Sequence, residues 1–530
     1  MTLQNLIDDL TLQQASNLSF FSSLQPREVR KAMSSSYFPA RTVLFEREKG
    51  GVTYRIPALL YIPKRATLLA FAEERLSPDD SHANVLVLRR GAFYRTYVEW
   101  GSMRVVETAS LEEHRSMNPC PVYDELTGTV FLFFIAVLGN TPESFQIMTG
   151  KNAARLCCVT SSDGGLTWSA VTDLTEQVIG SVIEDWATFA LGPGHGIQLR
   201  SGRLLVPAYT YHIDCKECFG KICKTTPHSF TFYSDDHGQS WQFGDFIPNL
   251  KTGECQLVSV YEEDGSSILY CNARSPLGCR VQALSMDDGA AFLPGQRVRK
   301  LVESNRGCHG SIVGFPAPLI RNSSQFLSQG ERWFVGGCDY FYLLQKLHRL
   351  QKHEAKSVRS IPVTSVKKAS QCHPQQKISE ESLISVSDSD SGQSAPGPVS
   401  PPFTSFQTPT WVLYSHPTSH RSRVNMGVYL STFPRNADSW TEPWVIYEGP
   451  SAYSDLAVME LPFSDPSTPG IPAITFACLY ESGARHAYEE ISFCLFTLSE
   501  VIENIPTAVS PLSQSCQAGS KDHWKSCVTS

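Results

Sequence analysis

The stretch Ser161-Ser162-Asp163-Gly164-Gly165-Leu166-Thr167-Trp168 has the composition of a tight turn between two strands. The aspartate at its third position can accept hydrogen bonds from backbone N–H groups further along, and Gly165 can adopt positive φ. Thr167 and Trp168 begin a strand again, and the indole can fold back to cover the turn. A single octet of this kind predicts no more than a hairpin.

Two further octets repeat this order along the chain. Residues 234–241 read Ser-Asp-Asp-His-Gly-Gln-Ser-Trp, and residues 285–292 read Ser-Met-Asp-Asp-Gly-Ala-Ala-Phe. The third octet is degenerate, because Ala291 replaces the hydroxyl residue and Phe292 replaces the tryptophan. Three copies at this spacing indicate an array of similar β units rather than a doubly wound α/β domain.

The rest of the chain has the alternation of an all-β protein. From residue 41 onward, short apolar runs such as Leu204-Leu205-Val206 alternate with turns rich in Gly, Pro, Asp and Ser. Helical periodicity is scarce, so the sequence predicts an all-β fold. We expect an N-terminal extension over residues 1–40, one β domain over residues 41–500 and a C-terminal tail over residues 501–530.

A long low-complexity segment interrupts this domain between about residues 322 and 408. Runs such as Ser387-Asp388-Ser389-Asp390-Ser391-Gly392 cannot bury enough apolar surface to offset chain entropy, so we expect disorder there. Within it, residues 340–359 could form a helix with leucines on one side and Lys and Arg elsewhere. Such a helix can lie on an anionic membrane surface, although its composition favours a solvated charge run.

The overall composition excludes several classes of protein. A formal net charge of −7 over 530 residues gives no general basic surface, so we expect no nucleic-acid partner. The longest apolar run, residues 130–138, is too short to span a bilayer and predicts a buried strand. The first residues show no signal-peptide pattern, so we expect a non-secreted protein whose sixteen cysteines are mostly reduced.

Arg55 lies within an otherwise apolar strand that contains Tyr54-Arg55-Ile56-Pro57. Burying an unpaired guanidinium is costly, so Arg55 should have an anionic partner, and a purely structural Arg–carboxylate pair would satisfy it. Arg274 and Arg423 have similar settings. If the three arginines converge, they would form a strong carboxylate clamp, because guanidinium groups bind carboxylates in a bidentate manner.

These motifs together resemble those of the exo-α-sialidases (neuraminidases). Tyr54-Arg55-Ile56-Pro57 resembles the family's Phe/Tyr-Arg-Ile-Pro motif, the octets resemble its Asp boxes, and the three arginines resemble its arginine triad. The segments 41–48, 75–82 and 217–223 are most similar to the vertebrate type-four group. The resemblance covers most of residues 41–320 and 409–500. It implies a six-bladed β-propeller with the active site at one end of the central axis.

The resemblance also implies an activity and a set of catalytic residues. The activity is the release of terminal sialic acid from glycoproteins, oligosaccharides and gangliosides, with retention of configuration. Asp80 matches the family's acid/base, and Tyr453 matches its nucleophile. Glu254 matches the carboxylate that activates the tyrosine, and Glu481 matches the carboxylate that orients the arginine of the Tyr-Arg-Ile-Pro motif.

A tyrosine nucleophile has a physical reason in this chemistry. The anomeric carbon of sialic acid carries a carboxylate, which would repel an approaching Asp or Glu anion but not a neutral phenol. For the acid, the five-residue step from Arg75 favours Asp80 over the rival Asp79. The residues that the resemblance implies for substrate binding are Arg55, Arg75, Arg274, Arg423, Met117, Asn118, Glu143, Tyr209 and Tyr211.

Two alternatives stay open at this point. His212, Cys215, Cys218 and Cys223 have a spacing that could bind zinc, but ligands crowded into one loop are more typical of free thiols at a pocket rim. The other alternative is a β-propeller that binds sialoglycans or proteins without cleaving them, since the fold alone does not decide activity. Such a protein would have no need of the catalytic set.

The resemblance implies no cofactor and no metal, and it implies sialylated glycans as partners. Similarity to the type-four group further implies an intracellular protein held peripherally on internal membranes, in lysosomes or mitochondria. A cytosolic or nuclear pool is the alternative location.

Overall fold

The computed structural model describes residues 37–94, 96–215, 223–262, 264–318, 408–460 and 474–506, with residues 334–335, 338–339 and 346 from the insertion. Most of the predicted N-terminal extension, insertion and C-terminal tail, including the predicted helix over 340–359 apart from residue 346, therefore lies outside the described residues. Strands dominate the described chain, so the predicted all-β fold is confirmed, and the sheets have a propeller-like arrangement.

Four antiparallel sheets follow one another along the chain after the first strand, β1 (Arg41–Glu46). The first contains β2 (Thr53–Ile62), β3 (Thr67–Arg75), β4 (Ala83–Tyr94), β5 (Tyr97–Trp100) and β6 (Arg104–Val105), and the second contains β7 (His114–Asp124), β8 (Thr129–Leu138), β9 (Ala154–Ser161) and β10 (Thr172–Asp173). The third contains β11 (Trp186–Leu191), β12 (Ile197–Gln198), β13 (Leu204–Cys215), β14 (Lys224–Ser234) and β15 (Gln242–Phe243), and the fourth contains β16 (Cys255–Tyr261), β17 (Ser267–Ala273), β18 (Cys279–Ser285) and β19 (Gln296–Val302). The predicted buried strand over 130–138 is β8.

The fifth sheet has seven strands and joins the two ends of the described domain. It contains β20 (Ser311–Pro316), β23 (Thr410–Pro417), β24 (Val424–Ser431), β25 (Trp444–Glu460), β26 (Ile474–Ser482), β27 (Glu490–Thr497) and β1, while the short strands β21 (Phe334–Val335) and β22 (Cys338–Asp339) pair with each other. Strand β25 changes partner along its length. It pairs with β24 from Trp444 to Pro450 and with β26 from Ser451 onward.

Apolar clusters lie between consecutive sheets rather than at a single centre. Phe71 of the first sheet belongs to one cluster with Phe134 of the second, and Phe133 of the second sheet lies 5.3 Å from Phe232 of the third. Phe315 of β20 lies 5.0 Å from Phe476 of β26, although both strands belong to the seven-stranded sheet. This sheet therefore folds over on itself where β25 changes partner.

Three short α-helices accompany the strands in the described ranges, and none of them is long and apolar enough to cross a bilayer. They are α1 (Glu143–Thr149), α2 (Thr175–Ile179) and α3 (Leu498–Asn504). Helix α3 begins with a capping box in which Thr497 and Glu500 exchange side-chain and backbone hydrogen bonds. Val501 and Ile502 are buried against the fifth sheet, so packed chain continues past residue 500.

Each of the three octets forms the predicted tight turn, between β9 and β10, between β14 and β15, and between β18 and β19. In the first octet Asp163 accepts hydrogen bonds from the backbone of Leu166 (2.9 Å) and Thr167 (3.0 Å) and from the Thr167 hydroxyl (2.6 Å). Trp168 packs edge-on against Phe71, with 6.0 Å between the ring centroids. The aspartates thus close turns between the outermost strands of their sheets.

Candidate active site

A pocket with a volume of about 1030 Å³ is lined by residues of the inner strands β2, β7, β11 and β25 and by the residues just before β16. The structure brings together here every predicted catalytic and substrate-binding residue except Glu481, which lies on the buried side of Arg55. The predicted residues that line the pocket are Arg55, Arg75, Asp80, Met117, Asn118, Glu143, Tyr209, Tyr211, Glu254, Arg274, Arg423 and Tyr453.

Two β-bulges shape the pocket wall. The pairing of β2 with β3 shifts register after Arg55, and that of β7 with β8 shifts after Met117. Each bulge contains a residue with positive φ, Ile56 at 57° and Asn118 at 54°. This conformation is unfavourable for a β-branched residue such as isoleucine, so the surrounding structure must hold it in place.

A buried carboxylate holds the amide of each bulge. The backbone N–H of Ile56 donates to Glu481 at 3.0 Å, and that of Asn118 donates to Glu73 at 2.6 Å. Both carboxylates are fully buried, where unpaired charge would be costly, and each also bonds an arginine of the pocket. The same two groups therefore shape the wall and orient its arginines.

Glu481 supplies the anionic partner that Arg55 was predicted to need. Arg55 Nε donates to one carboxylate oxygen at 2.9 Å, and the backbone N–H of Tyr453 donates to the other at 3.1 Å. Burial alone would lower the pKa of Arg55, but the negative charge of Glu481 raises it, so the guanidinium remains charged. Glu481 thus connects Arg55 to the strand that carries Tyr453.

The other two arginines of the predicted triad are held differently. Arg423 donates from Nε (3.1 Å) and Nη2 (2.8 Å) to the carbonyl of Gly307, and from Nη1 to the hydroxyl of Tyr488 (2.9 Å). Arg274 donates to Glu254 at 2.5 Å and also contacts the carbonyl of Arg306. The three guanidinium groups converge on one pocket, as a carboxylate clamp requires.

Tyr453 lies in the middle of this group and is almost fully buried. Its hydroxyl donates a short hydrogen bond to Glu254, and Arg274 Nη1 lies 3.1 Å from the same hydroxyl. Burial raises the pKa of Tyr453 well above its ordinary value, and the charge of Glu254 raises it further, while Arg274 and Arg423 act in the opposite direction. The phenol is therefore neutral at rest, with a carboxylate placed to take its proton.

Asp80 lies on the loop after β3, and its side chain is 60% exposed to the pocket and solvent. It contacts Arg75, and its oxygen lies 3.5 Å from Arg55 Nη1. Burial would raise the pKa of Asp80, but the guanidinium groups of Arg75 and Arg55 together hold it below the usual range. The rival Asp79 instead accepts from the backbone and hydroxyl of Ser81, at 2.9 and 2.7 Å, and caps the turn over Asp80–His82.

Glu143, Tyr209 and Tyr211 form another part of the wall. Glu143 is the first residue of α1, and the hydroxyl of Tyr209 donates to it at 3.0 Å. Burial raises the pKa of Glu143 to about 7, although the hydrogen bond from Tyr209 opposes this shift. Burial also raises the pKa of Tyr211 to about 12. This part of the pocket therefore contains two neutral tyrosines beside a carboxyl that titrates around neutral pH.

Sequence reasoning missed several residues of the site. Glu73 binds Arg75 through Nε (2.8 Å) and Nη2 (2.6 Å), and Arg115 donates to the carbonyls of Gly139 (2.5 Å) and Thr141 (2.6 Å) just before α1. Glu73 ends the apolar run over residues 68–72 and is followed by Glu74 and Arg75, so it was not marked, as Arg55 was, by a charge isolated within an apolar strand. Nothing in the sequence around Tyr488 indicates its position, 4.0 Å from Arg55 Cζ to the ring centre.

The suggested zinc ligands are only partly described. His212 and Cys215 lie at the end of β13, and Cys223 follows the gap that contains Cys218. The backbone N–H of Cys223 donates to Met148 at the end of α1, at 2.8 Å. Because Cys218 lies outside the described residues, the interpretation of these residues as free thiols stays a prediction.

Comparison with known proteins relates the chain to sialidases. Residues 66–312 match the model of a BNR repeat-like domain. Sialidase-4 from Mus musculus is 58% identical over 91% of this chain and 98% of its own length, and Sialidase-4 from Homo sapiens is 54% identical over 89% and 96%. Sialidase-3 from Mus musculus is 41% identical over 88% of this chain and 96% of its own length.

Solved structures agree at the level of the fold. The Hadza microbial sialidase Hz136 superposes with a TM-score of 0.55 at 20% identity, covering 85% of this chain and 67% of that one. The intramolecular trans-sialidase from Ruminococcus gnavus superposes with a TM-score of 0.52 at 14% identity, covering 88% of this chain and 98% of that one. With the identities of the full-length relatives, these findings show that the chain belongs to the sialidase family.

Proposed function

We propose that this protein is a retaining exo-α-sialidase that uses Tyr453 as nucleophile and releases terminal sialic acid from glycoproteins, oligosaccharides and gangliosides. The observation that carries the proposal is the hydrogen bond from the Tyr453 hydroxyl to Glu254 inside a pocket where three arginines converge. A neutral phenol with an adjacent base is what attack at a carbon next to a carboxylate requires.

Substrate binding begins with the carboxylate of sialic acid. Arg55, Arg274 and Arg423 point into the pocket and are already held by protein partners, so the charge they offer costs little reorganisation on binding. The clamp fixes the sugar ring over Tyr453, since Arg55 and Arg423 lie 5.5 and 5.3 Å from the tyrosine ring centre. The polar wall that contains Glu143 would then contact the substituents of the sugar ring.

In the first chemical step the oxygen of Tyr453 attacks the anomeric carbon while its proton passes to Glu254. The bond from that carbon to the glycosidic oxygen breaks, and Asp80 donates a proton to the departing oxygen. In the second step water attacks the anomeric carbon, its proton passes to Asp80, the bond to tyrosine breaks, and Glu254 returns the proton to the phenol. Two inversions at one carbon give net retention.

Asp80 must be protonated for the first step, although its pKa is low in the free protein. Two changes on binding favour the acid form. The substrate carboxylate partly neutralises Arg55, and the leaving group removes water from the exposed carboxyl of Asp80. Both changes raise the pKa of Asp80, because less positive charge and less solvent favour the neutral acid.

We propose a six-bladed propeller as the framework of this site. Support comes from β25, whose first half pairs with β24 and whose second half pairs with β26, so that it would serve two blades. The contact between Phe315 and Phe476 places the two halves of the seven-stranded sheet face to face, as neighbouring blades would be. The four separate sheets would be the other blades.

Peripheral association with internal membranes is also proposed, on the basis of the basic segment 340–359. Of that segment, the structure describes Lys346, whose ammonium donates to the carbonyl of Glu503 at 2.6 Å, at the carboxyl end of α3. Fractionation of a tagged chain with and without residues 340–405 tests the idea. Equal membrane fractions for the two chains would contradict it.

The nucleophile is tested with a fluorogenic sialoside and with a 3-fluoro-sialosyl fluoride that slows hydrolysis of the covalent intermediate. We expect Tyr453→Phe to lower kcat by at least about 10³-fold, because it removes the attacking oxygen. Mass spectrometry of the wild-type protein should find the fluorosialosyl group on the peptide that contains Tyr453. The matched control is Tyr94→Phe, since Tyr94 lies exposed at the end of β4.

Three outcomes would contradict the proposal. Full turnover by Tyr453→Phe would remove the tyrosine from the mechanism, and a label on another residue would move the nucleophile. A wild-type protein that binds sialosides without turnover would favour the non-catalytic binding propeller.

A further inference from the structure

The loop over residues 304–307 holds two of the three arginines through its backbone. The carbonyl of Gly307 accepts two of the three hydrogen bonds from Arg423, and the carbonyl of Arg306 contacts Arg274. Arg55, by contrast, is held by the side chain of Glu481. Because a backbone carbonyl moves with its loop, the positions of the Arg274 and Arg423 side chains depend on the conformation of this loop.

A buried ion pair fixes the loop at both of its ends. Glu303, just before the loop, accepts from the backbone N–H of Cys308, just after it, at 3.0 Å. Arg280 Nη1 donates to Glu303 at 2.8 Å and to the carbonyl of Cys308 at 2.9 Å. The N–H of Gly307 closes the turn by donating to the carbonyl of Ser304 at 2.7 Å. The ion pair therefore binds both the backbone N–H and the backbone carbonyl of Cys308.

Arg280 is itself held firmly on β18. Its Nε donates to Asn272 on the neighbouring strand β17 at 2.7 Å, and its side chain is 0% exposed. His416 Nε2 lies 3.4 Å from Glu303, and its Nδ1 contacts the carbonyl of Pro417 at 2.7 Å. A buried ion pair gives little net stability compared with apolar residues of the same volume, so a role beyond stability is a natural reason for its presence.

The loop has little freedom to compensate for a change. Gly307 has a φ of 66°, and a Cβ added there would lie 2.3 Å from Arg274 Nε. A glycine is required both for this backbone conformation and for the close approach of the arginine. Small movements of the loop are therefore passed on to the guanidinium groups.

We propose that Arg280 and Glu303 are positioning residues for catalysis, which set the loop over 304–307 and through it the places of Arg274 and Arg423. This inference rests on the proposed role of those arginines as ligands of the substrate carboxylate. Neither Arg280 nor Glu303 has to touch the substrate. Their loss should weaken recognition of the carboxylate more than recognition of the rest of the sugar.

The test compares the affinity of a 2,3-unsaturated sialic acid analogue with that of its methyl ester, which lacks the charge. The variants are Arg280→Lys, Glu303→Gln and the double variant Arg280→Gln/Glu303→Gln. The double variant leaves no unpaired buried charge, so it keeps the test possible if the single variants do not fold. We expect the ratio of acid to ester affinity to fall about tenfold, equivalent to about 1.4 kcal/mol.

Two further variants make the result specific. Arg435→Lys alters a half-exposed ion pair with Glu262, 2.7 Å apart, and should leave the affinity ratio unchanged. Arg423→Lys alters the clamp directly and should lower the ratio. If Arg423→Lys leaves the ratio unchanged, the proposed clamp is wrong. If Arg423→Lys lowers it while the folded double variant matches wild type in ratio and in kcat/KM, the clamp stands and the positioning role is overturned.

Discussion

The three outer turns and the pocket hold their carboxylates in opposite ways. Asp163 is satisfied by N–H and hydroxyl groups of its own octet, no more than four residues away. Glu481 is satisfied by Arg55, which is 426 residues away in sequence, and by two backbone amides. The first arrangement recurs in every turn, whereas each pocket carboxylate has its own set of partners.

This difference distinguishes carboxylates that stabilise the fold from carboxylates that we propose to act in catalysis. The low pKa of Asp163 comes from neutral donors inside its own turn that oppose the effect of burial, so its charge is used to close that turn. Burial would raise the pKa of Asp80, but the guanidinium groups of Arg75 and Arg55 hold it low, and in the proposed mechanism the substrate carboxylate neutralises part of this charge when it binds Arg55. A lowered pKa alone therefore does not identify a catalytic acid, because Asp163 and Asp80 share it for different physical reasons.

After the loss expected for Tyr453→Phe, the largest expected effect is at Asp80. Asp80→Asn should lower kcat/KM for natural sialosides by about 10²–10⁴-fold, because it removes general acid–base catalysis while preserving shape. The loss should be much smaller for an aryl sialoside whose leaving group needs no proton. The measurement is the ratio of the two kcat/KM values in wild type and variant.

The neighbouring residue provides the control for this prediction. Asp79→Asn removes the carboxylate that accepts from Ser81. It should change neither the dependence of kcat/KM on the leaving group nor the pH profile of kcat/KM. Equal losses for both classes of sialoside in Asp80→Asn would assign this carboxylate to binding rather than to proton transfer.

Much of the fold could be predicted from the sequence, because its turns are local. Every donor to Asp163 lies within the same octet, and the strands between the turns alternate visibly. The positions of Arg55, Asp80 and Tyr453 in one pocket followed from resemblance to a family, and not from any periodicity in the chain. The structure brings them together as that resemblance implied.

The rest could not be predicted, since it depends on contacts between distant segments. Tyr488 contacts Arg423 from a turn that has no distinctive pattern. Nothing in the sequence marks Arg280 and Glu303, whose hydrogen bonds to each other and to the backbone of Cys308 appear only when the loop over 304–307 is folded. The number of blades also depends on how the long strand β25 is shared, which no local pattern reveals.

The second prediction concerns Asp455, a buried carboxylate that lies near the pocket but that we expect to stabilise the fold, as the turn carboxylates do. It lies on β25 close to Tyr453, is fully buried, and accepts from His195 (2.8 Å), Ser311 (2.6 Å) and the backbone of Leu59 (2.7 Å). Asp455→Asn should lower the free energy of unfolding by about 2–4 kcal/mol, because an amide cannot satisfy all of these donors. Equilibrium unfolding in urea measures this change.

Asp455→Asn molecules that fold should retain catalytic activity. We expect kcat per folded molecule to remain within about threefold of wild type, a change under 1 kcal/mol, since Asp455 binds His195, Ser311 and the backbone of Leu59 rather than the pocket arginines. A larger loss of kcat with unchanged stability would place this residue with the catalytic group.

The third prediction concerns the outer turns. Asp236→Ala should lower the free energy of unfolding by about 1–2 kcal/mol at pH 6, since the charged carboxylate accepts from the backbone (2.8 Å) and hydroxyl (2.5 Å) of Ser240. These bonds lower the pKa of Asp236 to about 2. The stabilisation is therefore fully present above the ordinary aspartate pKa, and it is lost as the pH falls from about 4 towards 2.

The pH series is the check on this mechanism. The difference in unfolding free energy between wild type and Asp236→Ala should shrink from pH 6 to pH 3, while kcat/KM at neutral pH stays unchanged. A difference that is constant with pH would mean that the carboxylate acts by packing and not by its charge.

The smallest expected effect is a gain in stability at the degenerate third turn. Asp287 accepts from the backbone of Ala291 at 3.0 Å and from Ser285 at 2.7 Å, but position 291 has no hydroxyl to match those of Thr167 and Ser240. Ala291→Ser restores the missing donor and should raise the free energy of unfolding by about 0.5–1 kcal/mol. Thermal unfolding at neutral pH measures it.

A double-mutant cycle with Asp287→Ala shows whether the gain comes from the intended bond. Ala290→Ser adds the same hydroxyl one residue earlier and should give no such gain. If Ala291→Ser stabilises equally with and without Asp287, the new hydroxyl acts through solvent or the backbone. The lack of a hydroxyl at position 291 would then not lower the stability of the third turn. If the gain requires Asp287, the three turns obey one rule, and the stability of each is set by how many donors its aspartate finds within its own octet.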